Sequence, residues 1–408
     1  MIIKIAWKNI WRNPMRSGVV IVSVLLGIWA GIFVLAFSLG MNNQRVKGQL
    51  ENFVGHVTIK HAKYDEDKLV KYAIDDADKI VQQVSKQPQV TATTTRTSAV
   101  GMATSSAGGY GAAIHGIDLQ NEPKVFSLKS KLVEGKYFEG IKRNPILIGK
   151  KLAKRLNLKL RSKMVLTFQN ENGDITAGAF RIVGLYKSSN TVYDESNVFV
   201  RQNDLQKLLG NDVLIHHIVC RVDNYQVAPE VVKNLQGKLA KNHQNITVQS
   251  WKDTSPDLAY ANDMMSQMLF IFVGIILLGL SMGIVNTMLM AVLERTRELG
   301  MLMAVGMSKG RVFRMIVIET FFLTCVGAPI GILLAWATIQ YTGSNGIDLG
   351  MFSSGLENFG YDSIIRPMIE GSYYAQIGLM VVAAALLSAI YPAIKALKLK
   401  PVEAIRKV

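Results

Sequence analysis

Four uncharged runs constrain this chain more than any other feature. They cover residues 17–41, 264–293, 315–341 and 373–394, and Glu319 is the one charged residue within them. A helix needs roughly 20 residues to cross a hydrocarbon core. A helix that is apolar on all sides must be buried in lipid or in a very large core. Four such runs in 408 residues therefore predict four membrane-spanning helices. The first run is too long for the apolar part of a secretory signal and lacks a clear small-residue cleavage site, so it reads as an uncleaved span.

Cations near the span ends set the orientation. Lys4, Lys8, Arg12 and Arg16 precede the first span, and Arg295, Arg297, Lys309, Arg311 and Arg314 lie between the second and third. Lys395, Lys398, Lys400, Arg406 and Lys407 follow the fourth, whereas the loop between the third and fourth holds only Arg366. The expected layout is a cytoplasmic amphipathic helix at 1–16, a first span at 17–41, and a periplasmic α+β domain at 42–263. A second span at 264–293 leads to a cytoplasmic segment at 294–314 and a third span at 315–341. A periplasmic loop at 342–372, a fourth span at 373–394 and a cytoplasmic tail at 395–408 complete it. The expected location is the inner membrane, with several passes.

The net charge of +16 is shared by both parts. Residues 42–263 carry 31 Lys/Arg against 22 Asp/Glu. Large domains translocate largely regardless of charge, so this does not oppose the orientation. The excess reads as a solvated surface or as contact with anionic lipid or an acidic partner.

The outer segment reads as α+β. "HVTIKHA" (56–62) alternates like a strand, "DADKIVQQVSKQ" (76–87) has helical spacing, and 89–106 is β-rich. The same order recurs as "LIHHIVCRVD" (214–223), a helix at 227–241 and "ITVQSW" (246–251). Two β-α-β units at the two ends of one segment predict a split ferredoxin-like domain. A β-rich insert at about 107–212 separates them, with a short helix at 149–158 and a hairpin around "NENGD" (170–174). The 30-residue second apolar run makes about 45 Å of helix, more than the roughly 30 Å hydrocarbon core. The surplus either tilts or projects as a stalk.

Enzyme signatures are missing. Gly149-Lys150-Lys151 lacks the earlier glycine and the hydroxyl of a phosphate loop, and neither H-E-x-x-H nor G-x-S-x-G occurs. His216 and His217 occupy adjacent strand positions and face opposite ways, which reads as structural. Cys220 and Cys325 fall in a strand and a span, and form no disulfide framework. Glu319, the one acid in a span, is a functional candidate by default. Its nearness to Arg311, Arg314 and the bases of 294–314 favours pairing over a proton relay.

The segment 294–314 is built like a docking element. Glu294, Arg297 and Glu298 are spaced to share a helical face. Gly300 and Gly306 bracket "MLMAV", and Ser308 is placed to cap the next helix. A positive belt at the membrane accounts for the cations but not for the acids or the glycines. At the N-terminus, Ile3, Trp7, Ile10 and Trp11 fall on one face and the cations on another, which predicts an interfacial helix ended near Pro14. It reads as a coupling element or a passive anchor.

"LERTRELGMLMAVGMSKGRVFRMIVIE" resembles the cytoplasmic loop of FtsX-like ABC transporter permeases, a group with MacB-type and lipoprotein-releasing (LolC/LolE-like) members. "AWKNIWRNPMRSGVVIVSVLLGIWAG" and "AALLSAIYPAIKALKLKPVEAIRKV" are similar to the same family's ends. "GIDLGMFSSGLENFGYDSIIRP" is similar to the lipoprotein-releasing branch. The resemblance implies a permease without its own ATPase activity, paired with a second identical or paralogous permease and with separate ABC ATP-binding subunits. ATP and magnesium would sit on those subunits, with no cofactor on this chain. Glu294, Arg295, Arg297, Glu298, Leu299, Gly300, Met301, Ala304, Val305 and Gly306 would form the coupling site. Release of lipoproteins, with a periplasmic chaperone or adaptor, is the expected function. Phe33, Phe37, Met264, Met265 and Met268 are the candidate acyl pocket. The alternatives are a MacB-like efflux transducer and an FtsX-like regulator of a cell-wall hydrolase. Membrane lipids are expected contacts; nucleic acid is not.

Overall fold

The computed structural model describes residues 2–12, 14–140, 143–188, 190–239, 243, 245–352, 355–356 and 361–398. The end of the expected tail, from residue 399, lies outside them. The chain forms two compact units. One comprises Met1–Asn42, Met264–Asp348 and Ile364–Val408, and the other Asn43–Asp263 with Leu349–Ser363.

The helical unit holds the apolar runs. Its helices belong to Pro14–Gln49, Pro256–Glu294, Lys309–Asn345 and Gly371–Leu397, all long and apolar enough to cross a membrane. Each extends past its apolar run, because nothing at the run's edge breaks the backbone ladder. The second starts at Pro256, a residue suited to the first helical turn because its missing N–H needs no partner there. At 39 residues it is roughly 58 Å long. On the first span, Val20, Val24, Ile28 and Ile32 form a four-residue stripe and are buried in the helical core. The third span meets them through small residues. A side-chain carbon added at Gly327 would lie 2.9 Å from the Ile21 carbonyl, and one at Gly331 would lie 2.8 Å from that of Leu25. Such close backbone approach replaces the hydrophobic drive that lipid does not supply between helices. Trp29 Nε1 donates to Thr338 Oγ1 at 3.1 Å across the same pair.

The N-terminal helix Ile2–Arg12 departs from the expected single apolar face. Ala6 and Ile10, four residues apart, are fully buried, whereas Ile3, Trp7 and Trp11 are exposed. Among the described side chains, the helix is buried at Ala6 and Ile10 and leaves its tryptophans largely exposed. Trp7 also packs edge-on against Phe322, with ring centres 5.5 Å apart.

The outer unit is organised by ten strands. These are β1 (Val57–His61), β2 (Val90–Ser105), β3 (Gly108–Ile117), β4 (Leu132–Gly135), β5 (Pro145–Gly149), β6 (Lys163–Gln169), β7 (Ile175–Tyr186), β8 (Asn197–Arg201), β9 (His217–Val222) and β10 (Ile246–Ser250). The order β10-β1-β9-β2 is antiparallel throughout. Helices Ala77–Ser85 and Ala228–Leu239 make the two connections, so this half, called the porter half below, is the split ferredoxin-like arrangement.

The insert is not a separate sheet. β2 pairs with β9 up to Arg96 and with β3 from Arg96 onward. Its distal part also pairs with β6, and the circuit β2-β3-β8-β5-β7-β6 closes on itself. The result is a six-stranded barrel that removes most of the open edge. Ala99, Ala103, Ile114, Met164, Leu166 and Phe180 are among the side chains filling it. Gly101 lets β6 come close, since any side chain there would strike the Thr167 carbonyl.

A buried ion pair marks the point where the porter half becomes the barrel. Arg96 Nε donates to Glu122 Oε1 at 2.9 Å, and Thr94 Oγ1 donates to Glu122 Oε2 at 3.0 Å. Glu122 is fully buried, and the Arg96 guanidinium lies 3.7 Å over the Phe126 ring.

Buried imidazoles make this unit acid-sensitive. Burial pushes His115 down to about 4, with Arg96 adding in the same direction; His115 Nε2 also bonds Asn197 Oδ1 at 2.9 Å. Burial lowers His56, His216 and His217 as well. An unfolded histidine takes its proton near pH 6.5. The unfolded chain then binds more protons than the folded one between about 6.5 and about 4, so stability is full above that window and is lost as pH falls through it. Thermal unfolding of His115→Gln is expected to fall less steeply from pH 7 to 4.5 than that of the unaltered chain. Equal slopes would remove His115 from this role.

Candidate coupling site

The segment between the second and third spans is two turns and a short helix. The second span ends at Glu294, and Arg295 leaves the helical region at φ −93°, ψ 14°. Thr296 Oγ1 donates to the Leu293 carbonyl at 2.6 Å, competing with the ladder where the helix stops. Helix Thr296–Ala304 follows, and Gly306 turns the chain at φ +103°, a conformation that favours glycine. Ser308 holds the cap position of the third span, but its side chain makes no capping bond. The expected shared face of Glu294, Arg297 and Glu298 is also broken. The turn at Arg295 puts Glu294 on a different helix from the other two.

The expected coupling residues separate into inner and outer sets. Leu299 and Gly300 are buried in the helix's inner side. Arg295 is turned inward, and its Nη1 bonds Glu319 Oε1 at 2.9 Å with both side chains about nine-tenths covered. Arg297, Met301, Ala304, Val305 and Gly306 are exposed, and Val305 is 89% so. Glu294 is exposed at the end of the span. Glu298 faces the N-terminal helix: Arg12 Nη2 meets Glu298 Oε1 at 2.9 Å, and Arg12 Nη1 reaches Oε2 at 3.4 Å. Both ion pairs line one cavity of about 460 Å³, whose walls also include Met288, Met301 and Met315.

The two pairs differ in weight. Arg12 and Glu298 are well exposed, and such pairs contribute about 0–1 kcal/mol. Arg295 and Glu319 are nearly covered, and losing one partner of a buried pair costs about 3–5 kcal/mol. Glu319 is thus held by Arg295, a base of the connecting segment. The link from Arg12 to Glu298 escaped sequence reasoning, because 286 residues separate them. Its available signal was a base in the last turn of the amphipathic helix.

The five candidate acyl-pocket residues lie on the first and second spans, where the expected pocket forms between two protomers. Phe33 stacks on Trp29 with ring centres 6.1 Å apart, and Phe37 is half-buried one turn further on. Met264 and Met268 are exposed on the second span, and Met265 is half-buried. A cavity of about 50 Å³ in the helical unit is lined by residues such as Leu35, Leu39, Leu269 and Tyr373. That is the space of one or two water molecules.

Two family models match the chain. "FtsX-like permease C-terminal" covers residues 270–401 and "MacB-like periplasmic core domain" covers 17–238, more than half of the chain. The lipoprotein-releasing system transmembrane protein LolC of Neisseria meningitidis serogroup B is 23% identical over 414 residues, covering 97% of this chain and 95% of that protein. The pyoverdine export ATP-binding/permease protein PvdT of Pseudomonas syringae pv. syringae is 24% identical over 82% of this chain, which spans 51% of that protein. The macrolide export ATP-binding/permease protein MacB of Bdellovibrio bacteriovorus is 22% identical over 98% of this chain and 60% of its own length. Among solved structures, the periplasmic region of MacB from Actinobacillus actinomycetemcomitans matches 53% of this chain and 97% of that one, at a TM-score of 0.36 and 16% identity. Four helices able to cross a membrane, an outer α/β unit and the two family matches lead to one conclusion: the chain is a multi-pass membrane protein that belongs to the FtsX-like, MacB-like family of ABC transporter permeases.

Proposed function

We propose that this chain is the permease subunit of an inner-membrane ABC transporter that turns ATP hydrolysis on a separate subunit into motion of its periplasmic domain, and that the transporter releases lipoproteins from that membrane. The observation that carries the coupling reading is the glycine-ended turn that leaves Met301, Ala304 and Val305 exposed beside the ends of two spans. An apolar knob on a helix held by ion pairs suits the groove of a soluble partner. ATP and magnesium belong to that partner, since this chain has no phosphate loop. The match to LolC runs over nearly that protein's whole length, whereas the PvdT and MacB relatives extend well beyond the matched part.

The long helices Pro14–Gln49 and Pro256–Glu294 are the levers in this reading, and a second permease, identical or paralogous, completes the pair. Lipoprotein as the cargo, with a periplasmic chaperone receiving it, rests on the likeness to LolC. The likeness to PvdT favours a second reading, export of a small molecule through an adaptor. Depletion of the protein followed by membrane fractionation separates the two. Acylated proteins should accumulate in the inner membrane. An unchanged distribution would discard lipoprotein release and leave export.

A further inference from the structure

We propose that the barrel of the outer unit carries a binding site for an anionic amphiphile, in a lysine-rimmed cleft. The cleft lies between helix Lys150–Arg155, the chain to Leu160, the end of β7 and β4. Its volume is about 670 Å³, inside the roughly 300–1,000 Å³ range of small-molecule sites.

Five lysines line it: Lys150, Lys151, Lys154, Lys159 and Lys187, all exposed. Two acids oppose them. Glu134 is exposed and meets Lys150 Nζ at 3.4 Å. Asp194 is buried, and accepts from Ser188 N at 2.9 Å and Ser188 Oγ at 2.6 Å, so its charge is already used inside the fold. The lysines outnumber the acids around one concavity, and the field they focus attracts an anion. Lysine suits phosphate or carboxylate as a point charge.

Charge alone does not account for the floor. Leu185 is nearly fully buried there, Leu158 is half-buried and Leu160 is 37% exposed. Lysine stems add further apolar surface under their charged ends. Apolar residues below and cations around the rim match a ligand with an anionic head and an apolar tail. The concave shape favours such a molecule over a flat acidic protein surface. The site is independent of the coupling reading, because it involves only the outer unit.

The test is site-resolved reductive methylation of lysines in the full chain held in phosphatidylcholine nanodiscs, read by mass spectrometry. Dodecyl phosphate is the probe. Inorganic phosphate, dodecyl maltoside and a glutamate octapeptide are the comparisons. With the probe at about ten times its Kd, modification of the five lysines should slow about tenfold, while Lys63 and Lys233 elsewhere in the unit keep their rates. Lys151→Glu with Lys154→Glu should abolish protection of the remaining three. Protection by dodecyl phosphate alone supports the proposal. Equal protection by inorganic phosphate overturns the apolar half of it. Protection by the peptide and not by dodecyl phosphate makes the cleft a protein-docking surface and overturns it, as does no protection by any of them. The unaltered chain provides this result whether or not the double variant folds.

Discussion

Met301→Asp combined with Val305→Asp is expected to leave the protein folded and to disable its ATP-driven function. Both side chains are exposed, Val305 almost completely, so neither charge is buried in the chain itself. The folding cost of such surface changes is within about 0.5 kcal/mol. In a complex with an ATP-binding subunit the same positions would be covered. An unpaired charge forced into a buried contact costs about 3–5 kcal/mol, which is roughly 100- to 4,000-fold in affinity. Transport and subunit-stimulated ATPase activity should both collapse while the unfolding temperature holds. Full activity in this variant would remove the knob from the coupling site. Lys233→Ala, an exposed change on helix Ala228–Leu239 of the outer unit, is the control with a small effect.

The second large effect lies in the outer unit. Glu122→Ala leaves the Arg96 guanidinium buried against Phe126 without its carboxylate. Breaking a buried pair from one side costs about 3–5 kcal/mol, whereas replacing both members by apolar residues is often close to neutral. The single variant should therefore lower the denaturation midpoint of the outer unit sharply, and Arg96→Met with Glu122→Leu should recover most of the loss. Limited proteolysis in increasing urea reads this directly. A single variant as resistant as the unaltered chain would mean that the pair does not hold the junction of the two halves.

Different features of the chain were legible in the sequence to different degrees, for physical reasons. The four apolar runs stand out because lipid demands about 20 apolar residues whatever the tertiary context. The porter half was readable because its strands and helices repeat one local pattern at both ends of the segment. The barrel was not, because its closure depends on pairings such as Gly101 with Phe168 that leave no periodic mark. Alternation tells which face a strand buries, not which strand lies beside it. β2 also changes neighbours within one continuous sheet, and nothing in "TATTTRTSAVGMATS" signals the change at Arg96.

At the coupling site, composition revealed the apolar knob and the glycines but not the turn at Arg295. Helical spacing joined Glu294 to Arg297 and Glu298, and a single threonine hydroxyl bonding back to Leu293 marks where that spacing fails. Ion-pair partners were equally hidden. Glu319 had several bases within reach in sequence, and the fold selects Arg295.

Residues 294–306 are expected to dock onto a separate ATP-binding subunit. The most direct measurement places a photo-crosslinking residue at position 305 of the chain in its native membrane and identifies the captured protein by mass spectrometry. Position 133, on exposed β4 of the outer unit, serves as the comparison. A crosslink from 305, and not from 133, to a protein carrying a phosphate-binding loop is the predicted result. Capture of only lipid at 305, or of the same proteins from both positions, would contradict the account.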